Sequence, residues 1–181
     1  MKGHPVFLQA AACLASEIPA LRLVCVGDGS QDFRRRLEEL SVSLGLQKSL
    51  IWEKARPEVA AVYNALDICC SASVFGEGFP NVVGEAMACG IPCVVTDVGD
   101  SAIVVGETGR VAPADDIDAL AQALRKMILL SASERAALGE MARQRILANF
   151  SLQRMVSNTE TALASLVGDR VEDFSSGSFK G

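Results

Sequence analysis

Five short apolar runs, each parted from the next by a helix-like stretch, constrain this chain more than any other feature. They are "LRLVCVG" (21–27), "SLIWE" (49–53), "DICCSAS" (67–73), "IPCVVT" (91–96) and "GRVA" (109–112). None alternates apolar with polar residues as a strand with one wet face would; strands buried on both faces read this way. Around them the patterns predict helices near 5–16, 31–45, 57–65, 80–89, 115–130, 132–148 and 151–167. In the fifth of these, Ile117, Leu120, Ala121, Leu124, Met127 and Ile128 fall on one face, behind the cap candidates Asp115 and Asp116. Strand alternating with helix predicts an α/β fold, a Rossmann-like parallel sheet with helices on both faces.

At 181 residues, half of them hydrophobic, the chain supports one buried core. We expect one domain over 1–167 and a polar, flexible tail over 168–181, "GDRVEDFSSGSFKG". A net charge of -5 leaves no general basic field, which argues against nucleic acid and anionic membrane as bulk partners. The six cysteines sit in apolar surroundings without Cys-x-x-Cys spacing, as reduced thiols of a cytoplasmic protein do. No signal-peptide pattern opens the chain, and no apolar run approaches the roughly 20 residues of a transmembrane segment.

Ligands of such sheets sit beyond the carboxyl ends of the strands, so the loops at 27–31, 53–57, 73–80 and 97–101 carry the candidate site. The most informative stretch is "VFGEGFPNVVGEAMACG" (74–90). Pro80 suits the first helical position, which leaves the amides of Asn81, Val82 and Val83 as donors at the positive end of a helix dipole. Gly78 lets backbone approach a ligand closely. Glu77 and Glu85 flank this start, on the order of 10 Å apart by helical rise, wider than the about 5 Å of the carboxylate pair in a retaining glycosidase. They are better placed to grip different parts of one long ligand. A carboxylate accepts from two vicinal hydroxyls, so hydroxylated rings on either side of a pyrophosphate would use every one of these groups. That describes a nucleotide sugar. A plainer reading makes Glu77 a solvated loop acid and Glu85 a surface helix residue.

The stretch "EGFPNVVGEAMACGIPCVVTDVGD" resembles the signature of family 4 glycosyltransferases of the GT-B fold. The resemblance extends through "KGH", "LRLVCVGDGS", "PEVAAVYNALDICCSAS", "VGETGRVAPADDIDALAQAL" and "RILANFSLQRMVSNTETAL", all similar to the C-terminal, donor-binding domain of that family. It implies a retaining hexosyl transfer from a nucleotide-diphosphate sugar to a glycan or lipid, usually without a metal or other cofactor. Glu77 would meet hydroxyls of the transferred sugar, and Lys2 would neutralise the departing diphosphate. Glu85 would hold the ribose, and the amides of Asn81 and Val82 the phosphates. Gly78 and Phe79 belong to the same donor loop, Gly27 and Gly29 to the loop at the cleft, and Arg56 to the base-binding region that begins at Trp52. The family implies work at the cytoplasmic face of a membrane, in polysaccharide or glycolipid assembly.

One departure stands out. The family's domain opens with a central strand bearing an Arg, and this chain starts after it and also lacks the N-terminal acceptor-binding domain. We therefore expect a donor-binding half without turnover of its own. In the family's sheet that strand lies between those at 21–27 and 67–73. These two must then pair directly, borrow a strand from another copy, or leave unpaired edges, so self-association is expected.

Other signals have local readings. "VGDGSQD" (26–32) half resembles a dinucleotide fingerprint and keeps a nicotinamide-dependent oxidoreductase as a lesser alternative, but Asp32 stands at the third glycine position. A non-catalytic nucleotide-sugar binding module, or one half of a split enzyme, is the other. The Asp-x-Asp of "DDIDAL" reads as helix capping, and His4 as packing at a helix start or solvent exposure, with a place beside Lys2 at the phosphate site as its alternative. Trp52 reads as core, and Arg34, Arg35 and Arg36 as a solvated face near Glu38 and Glu39.

Overall fold

The computed structural model describes the backbone of residues 2–175 and the side-chain surroundings of residues 2–166. The chain divides into two compact units, Met1–Gln144 and Arg145–Gly181. All five strands lie in the first: β1 Leu23–Val26, β2 Leu50–Glu53, β3 Cys69–Ser71, β4 Cys93–Thr96 and β5 Arg110–Ala112. Each falls inside a predicted run. β4, read as buried on both faces, is buried at all four residues. The helices of this unit are α1 His4–Ala15, α2 Gln31–Ser43, α3 Val59–Tyr63, α4 Asn81–Ala88, α5 Ser101–Val105 and α6 Ile117–Ile128, with α7 Ala132–Asn149 crossing its boundary.

The strands form two parallel sheets rather than one. β1 pairs with β2, Leu23 opposite Leu50, and β4 lies between β3 and β5, with Val94 opposite both Cys70 and Arg110. The runs at 21–27 and 67–73 do not pair directly: among the described residues of this chain β1 and β3 each have a strand on one side only. The reason lies in α1, which packs into two cores at once. Its Leu8 and Ala11 join Leu23, Leu37 and Leu46 under the first sheet. Its Val6, Ala10 and Leu14 join Ala72, Val94, Leu120 and Met127 under the second. A buried aliphatic side chain contributes about 1.5–3 kcal/mol, so closing the sheets to one strand spacing at the expense of either set would be costly.

Local chemistry explains the helix starts. Ser30 caps α2, its Oγ accepting from Phe33 N at 3.3 Å. Asp116 caps α6, accepting from Ala119 N at 2.8 Å, so "DDIDAL" does serve as a cap. α1 starts behind Gly3 at φ 63°, where a Cβ would stand 1.6 Å from the Ala72 carbonyl oxygen. Two short elements were not read in the sequence, α5 and a 3-10 turn at Gly106–Thr108. α8 runs Leu152–Ser175, past the boundary placed at 167; the remainder of the predicted tail, 176–181, lies outside the described residues. Among the described residues no helix is long and apolar enough to cross a membrane.

Candidate functional site

The loop from β3 to α4 is held from two sides. Thr96, on β4, donates through Oγ1 to the carbonyls of Ser73 at 2.5 Å and Ser71 at 3.3 Å, which fixes where β3 ends. From the loop after β4, Gly99 at φ 57° presses on the backbone of Glu77: a Cβ there would stand 2.2 Å from the Glu77 carbonyl oxygen. Asp100 N donates to Gly78 O at 3.2 Å. Glu77 is therefore fixed by its main chain. Its side chain is only 9 % exposed, and Oε1 accepts from Lys2 Nζ at 2.6 Å and Ser73 Oγ at 2.7 Å. Burial opposes ionisation of this carboxyl, but the bonds from Lys2 and Ser73 outweigh it and hold the group below its ordinary range. Lys2 remains 64 % exposed; its ammonium has donors beyond the one given to Glu77. Oε2 of Glu77 has no hydrogen-bond partner among the described residues.

α4 begins one residue later than expected. Pro80 is the cap, and its carbonyl accepts from Val83 N at 2.9 Å and Gly84 N at 3.1 Å. Val83 is thus not one of the open donors. The amides of Asn81 and Val82 have no protein acceptor among the described residues. Phe79 lies against this helix, a ring carbon 3.0 Å from where a Cβ on Gly84 would be. Glu85 follows on the exposed face, its Oε2 accepting from the Tyr63 hydroxyl at 2.8 Å. Burial raises the Tyr63 pKa, and the bond to Glu85 raises it further. One carboxylate oxygen of Glu85 is thus engaged by a buried phenol, and the other has no hydrogen-bond partner among the described residues.

Lys2, His4, Gly27, Gly29 and Val82 share the lining of one cavity of about 920 Å³ between the two sheets. Gly27 has φ 142° and donates to Glu53 O at 3.1 Å, ending the β1–β2 ladder. His4 meets Phe33 edge-on at 5.9 Å, at the helix start as expected. Its pKa is lowered, first by burial and then by the charge of Lys2. Trp52 is half-buried, with the Arg34 guanidinium 4.5 Å above its ring. Arg34 and Arg35 form the solvated face anticipated for this run, with ion pairs to Glu38 at 2.6 Å and to Glu39 at 3.6 Å. Arg56 is exposed and paired with Glu53 at 3.0 Å.

Lys2 and Glu77 are thus in direct contact, and Gly27, Gly29 and Val82 join Lys2 around one opening. Sequence reasoning missed Ser73, Tyr63, Gly99 and Gly3. Only the glycines left a signal, each just after a strand or before a helix. Among the described residues no group of three or more His, Cys, Asp or Glu is arranged to hold a metal ion.

This parallel architecture matches known proteins. The family model "Glycosyl transferases group 1" matches residues 1–129, and the chain belongs to that family. A D-inositol 3-phosphate glycosyltransferase of Corynebacterium urealyticum is 35% identical over 153 residues, covering 80% of this chain and 36% of the relative. A glycosyltransferase structure from Rickettsia africae superposes with TM-score 0.82 at 25% identity, covering 92% of this chain and 45% of that one. The Anabaena protein Alr3699/HepE in complex with UDP shares the fold, with TM-score 0.80 at 23% identity over 91% of this chain and 45% of that one. The fold is the Rossmann-like α/β arrangement of GT-B glycosyltransferases, and the chain spans roughly a third to a half of these relatives' lengths.

Proposed function

We propose that this chain is the donor-binding half of a retaining glycosyltransferase, holding a nucleotide-diphosphate sugar at the start of α4. The observation that carries the reading is the Lys2–Glu77 pair, 2.6 Å across, on the loop that leads to the open amides of Asn81 and Val82. The diphosphate rests on those amides and on the remaining donors of Lys2, so its charge is met without a metal. The free oxygen of Glu77 takes sugar hydroxyls, and that of Glu85, braced by Tyr63, takes the ribose. Stabilising a departing diphosphate next to an oxocarbenium-like centre needs fixed positive charge more than it needs a base. The complex of Alr3699/HepE with UDP supports a nucleoside diphosphate as ligand class.

The acceptor is held by a separate domain, and transfer requires it. Six free cysteines fit a cytoplasmic setting, which includes attachment at a membrane face through that domain. Calorimetry against UDP, GDP and ADP tests the reading. We expect one nucleotide to bind and Glu85→Ala to weaken it by about 1–3 kcal/mol. Binding of none of the three, or equal affinity in the variant, would overturn it.

A further inference from the structure

Glu85 stands one turn into α4, and helical side chains lean toward the N-terminus of their helix. Its carboxylate therefore lies over the turn of Asn81 and Val82, whose amides are open. It is exposed and forms no ion pair among the described residues. A glutamate in that setting would turn freely. What stops it is the Tyr63 phenol, which donates to Oε2 at 2.8 Å. Tyr63 closes α3 at 7% exposure, and α3 packs against α4, so the donor is a fixed point. The other titratable groups around the phenol are the Cys69 and Cys89 thiols, weak acceptors beside a carboxylate. Tyr63 thus has one strong acceptor, and Glu85 one fixed donor.

A fixed acceptor is a selective one. An ionised carboxylate offers about four lone-pair sites on its two oxygens. With one site on Oε2 taken, rotation about the last side-chain bond would break a charge-assisted bond. The plane of the carboxylate is therefore set, and Oε1 points one way. A vicinal diol, whose hydroxyls keep a constant spacing, meets such a group with both. A ligand with one of the two hydroxyls leaves an acceptor unmet after displacing its water. A carboxylate free to turn would accommodate the single hydroxyl and discriminate less.

We propose that Tyr63 is a specificity-determining residue: acting through Glu85, it makes the site select ribonucleotides over 2′-deoxyribonucleotides. This rests on the reading of Glu85 as the ribose ligand; Tyr63 is its positioning residue, not itself a ligand contact.

Calorimetry of the full chain against whichever of UDP, GDP and ADP binds, and against its 2′-deoxy counterpart, reads the selection. The unsubstituted protein should prefer the ribonucleotide by about 10-fold. Tyr63→Phe removes the hydroxyl and keeps the ring; it should bring the preference to about 2-fold, chiefly by weakening the ribonucleotide. In a Glu85→Ala background the same change should leave both affinities as they are. No preference in the unsubstituted protein, an unchanged preference in Tyr63→Phe, or a loss of equal size without Glu85 would each overturn the proposal, the last by showing that Tyr63 acts through packing. A readout free of nucleotide is open because the chain has one tyrosine. An isotope label on the ring carbon that bears its hydroxyl gives a single resonance, which should shift in Glu85→Ala as the bond is lost. A resonance that stays in place would also overturn the proposal. Binding of none of the three nucleotides overturns the donor reading and this selection together, whereas binding with an unchanged preference overturns the selection alone.

Discussion

At the scale of single residues, the contact between Lys2 and Glu77 matters most. Both were legible as site candidates, because one precedes a helix and the other stands in a Gly-rich loop before one. Their direct pairing was not, since it depends on α1 meeting the end of β3, some 75 positions apart in sequence. Ser73 and Tyr63 escaped notice for the same reason: an unremarkable hydroxyl becomes a partner only once the strands are assembled. The pair has a pH signature. The Glu77 carboxyl titrates lower in the folded chain than in the unfolded one, despite its burial. Its contribution is fully present above the unfolded value and is lost as pH falls through the folded one. Lys2 is exposed and screened, so Lys2→Met should cost at most about 1 kcal/mol at pH 7. Urea titrations of both proteins at pH 7 and near pH 3 should show that gap closing in acid. A gap that persists at the lower pH would mean that Lys2 acts by packing rather than charge.

At the scale of elements, the strands were readable because their runs lack polar alternation, but burial on both faces holds at every residue only for β4; Val26 of β1, Ile51 of β2 and Val111 of β5 are exposed. α5 was not readable. Five residues make too little of a period, and Ile103, Val104 and Val105 are β-branched and favour strands. The start of α4 was misread by one residue because Pro fits both the cap and the first turn. What seats that helix is glycine at two contrasting places. At Gly99 a methyl group meets fixed backbone at 2.2 Å with φ 57°. Left-handed strain and overpacking together should make Gly99→Ala cost about 2–4 kcal/mol. At Gly84 the nearest atom is a ring carbon of Phe79 at 3.0 Å, which can pivot, and alanine favours a helix interior by roughly 0.5–1 kcal/mol. Gly84→Ala should come out near zero. Denaturant midpoints of the two variants check the contrast, and similar losses would show that the Phe79 ring is as fixed as the backbone.

At the scale of the molecule, an α/β chain with helices around parallel strands was fully expected, but its division into two sheets was left open. Hydrophobic pattern decides which residues become strands. It does not decide which strands meet, because that depends on what α1 wedges between them. The proposed donor reading also ends at the limits of this unit: on it Glu77 would face the sugar and Lys2 the diphosphate, and no second binding surface for an acceptor follows from the same loops. The purified chain should therefore transfer no sugar from UDP-, GDP- or ADP-hexoses to glycan or lipid acceptors in a radiolabel assay. Measurable transfer would show that one half suffices.

The helix that belongs to both cores also carries Lys2 just ahead of its first turn, and Gly3 locks that end against Ala72. A tilt of the β1–β2 layer is therefore not a private event. It would shift α1 and with it the seat of Lys2 beside Glu77, so the two cores and that ion pair share one rigid support.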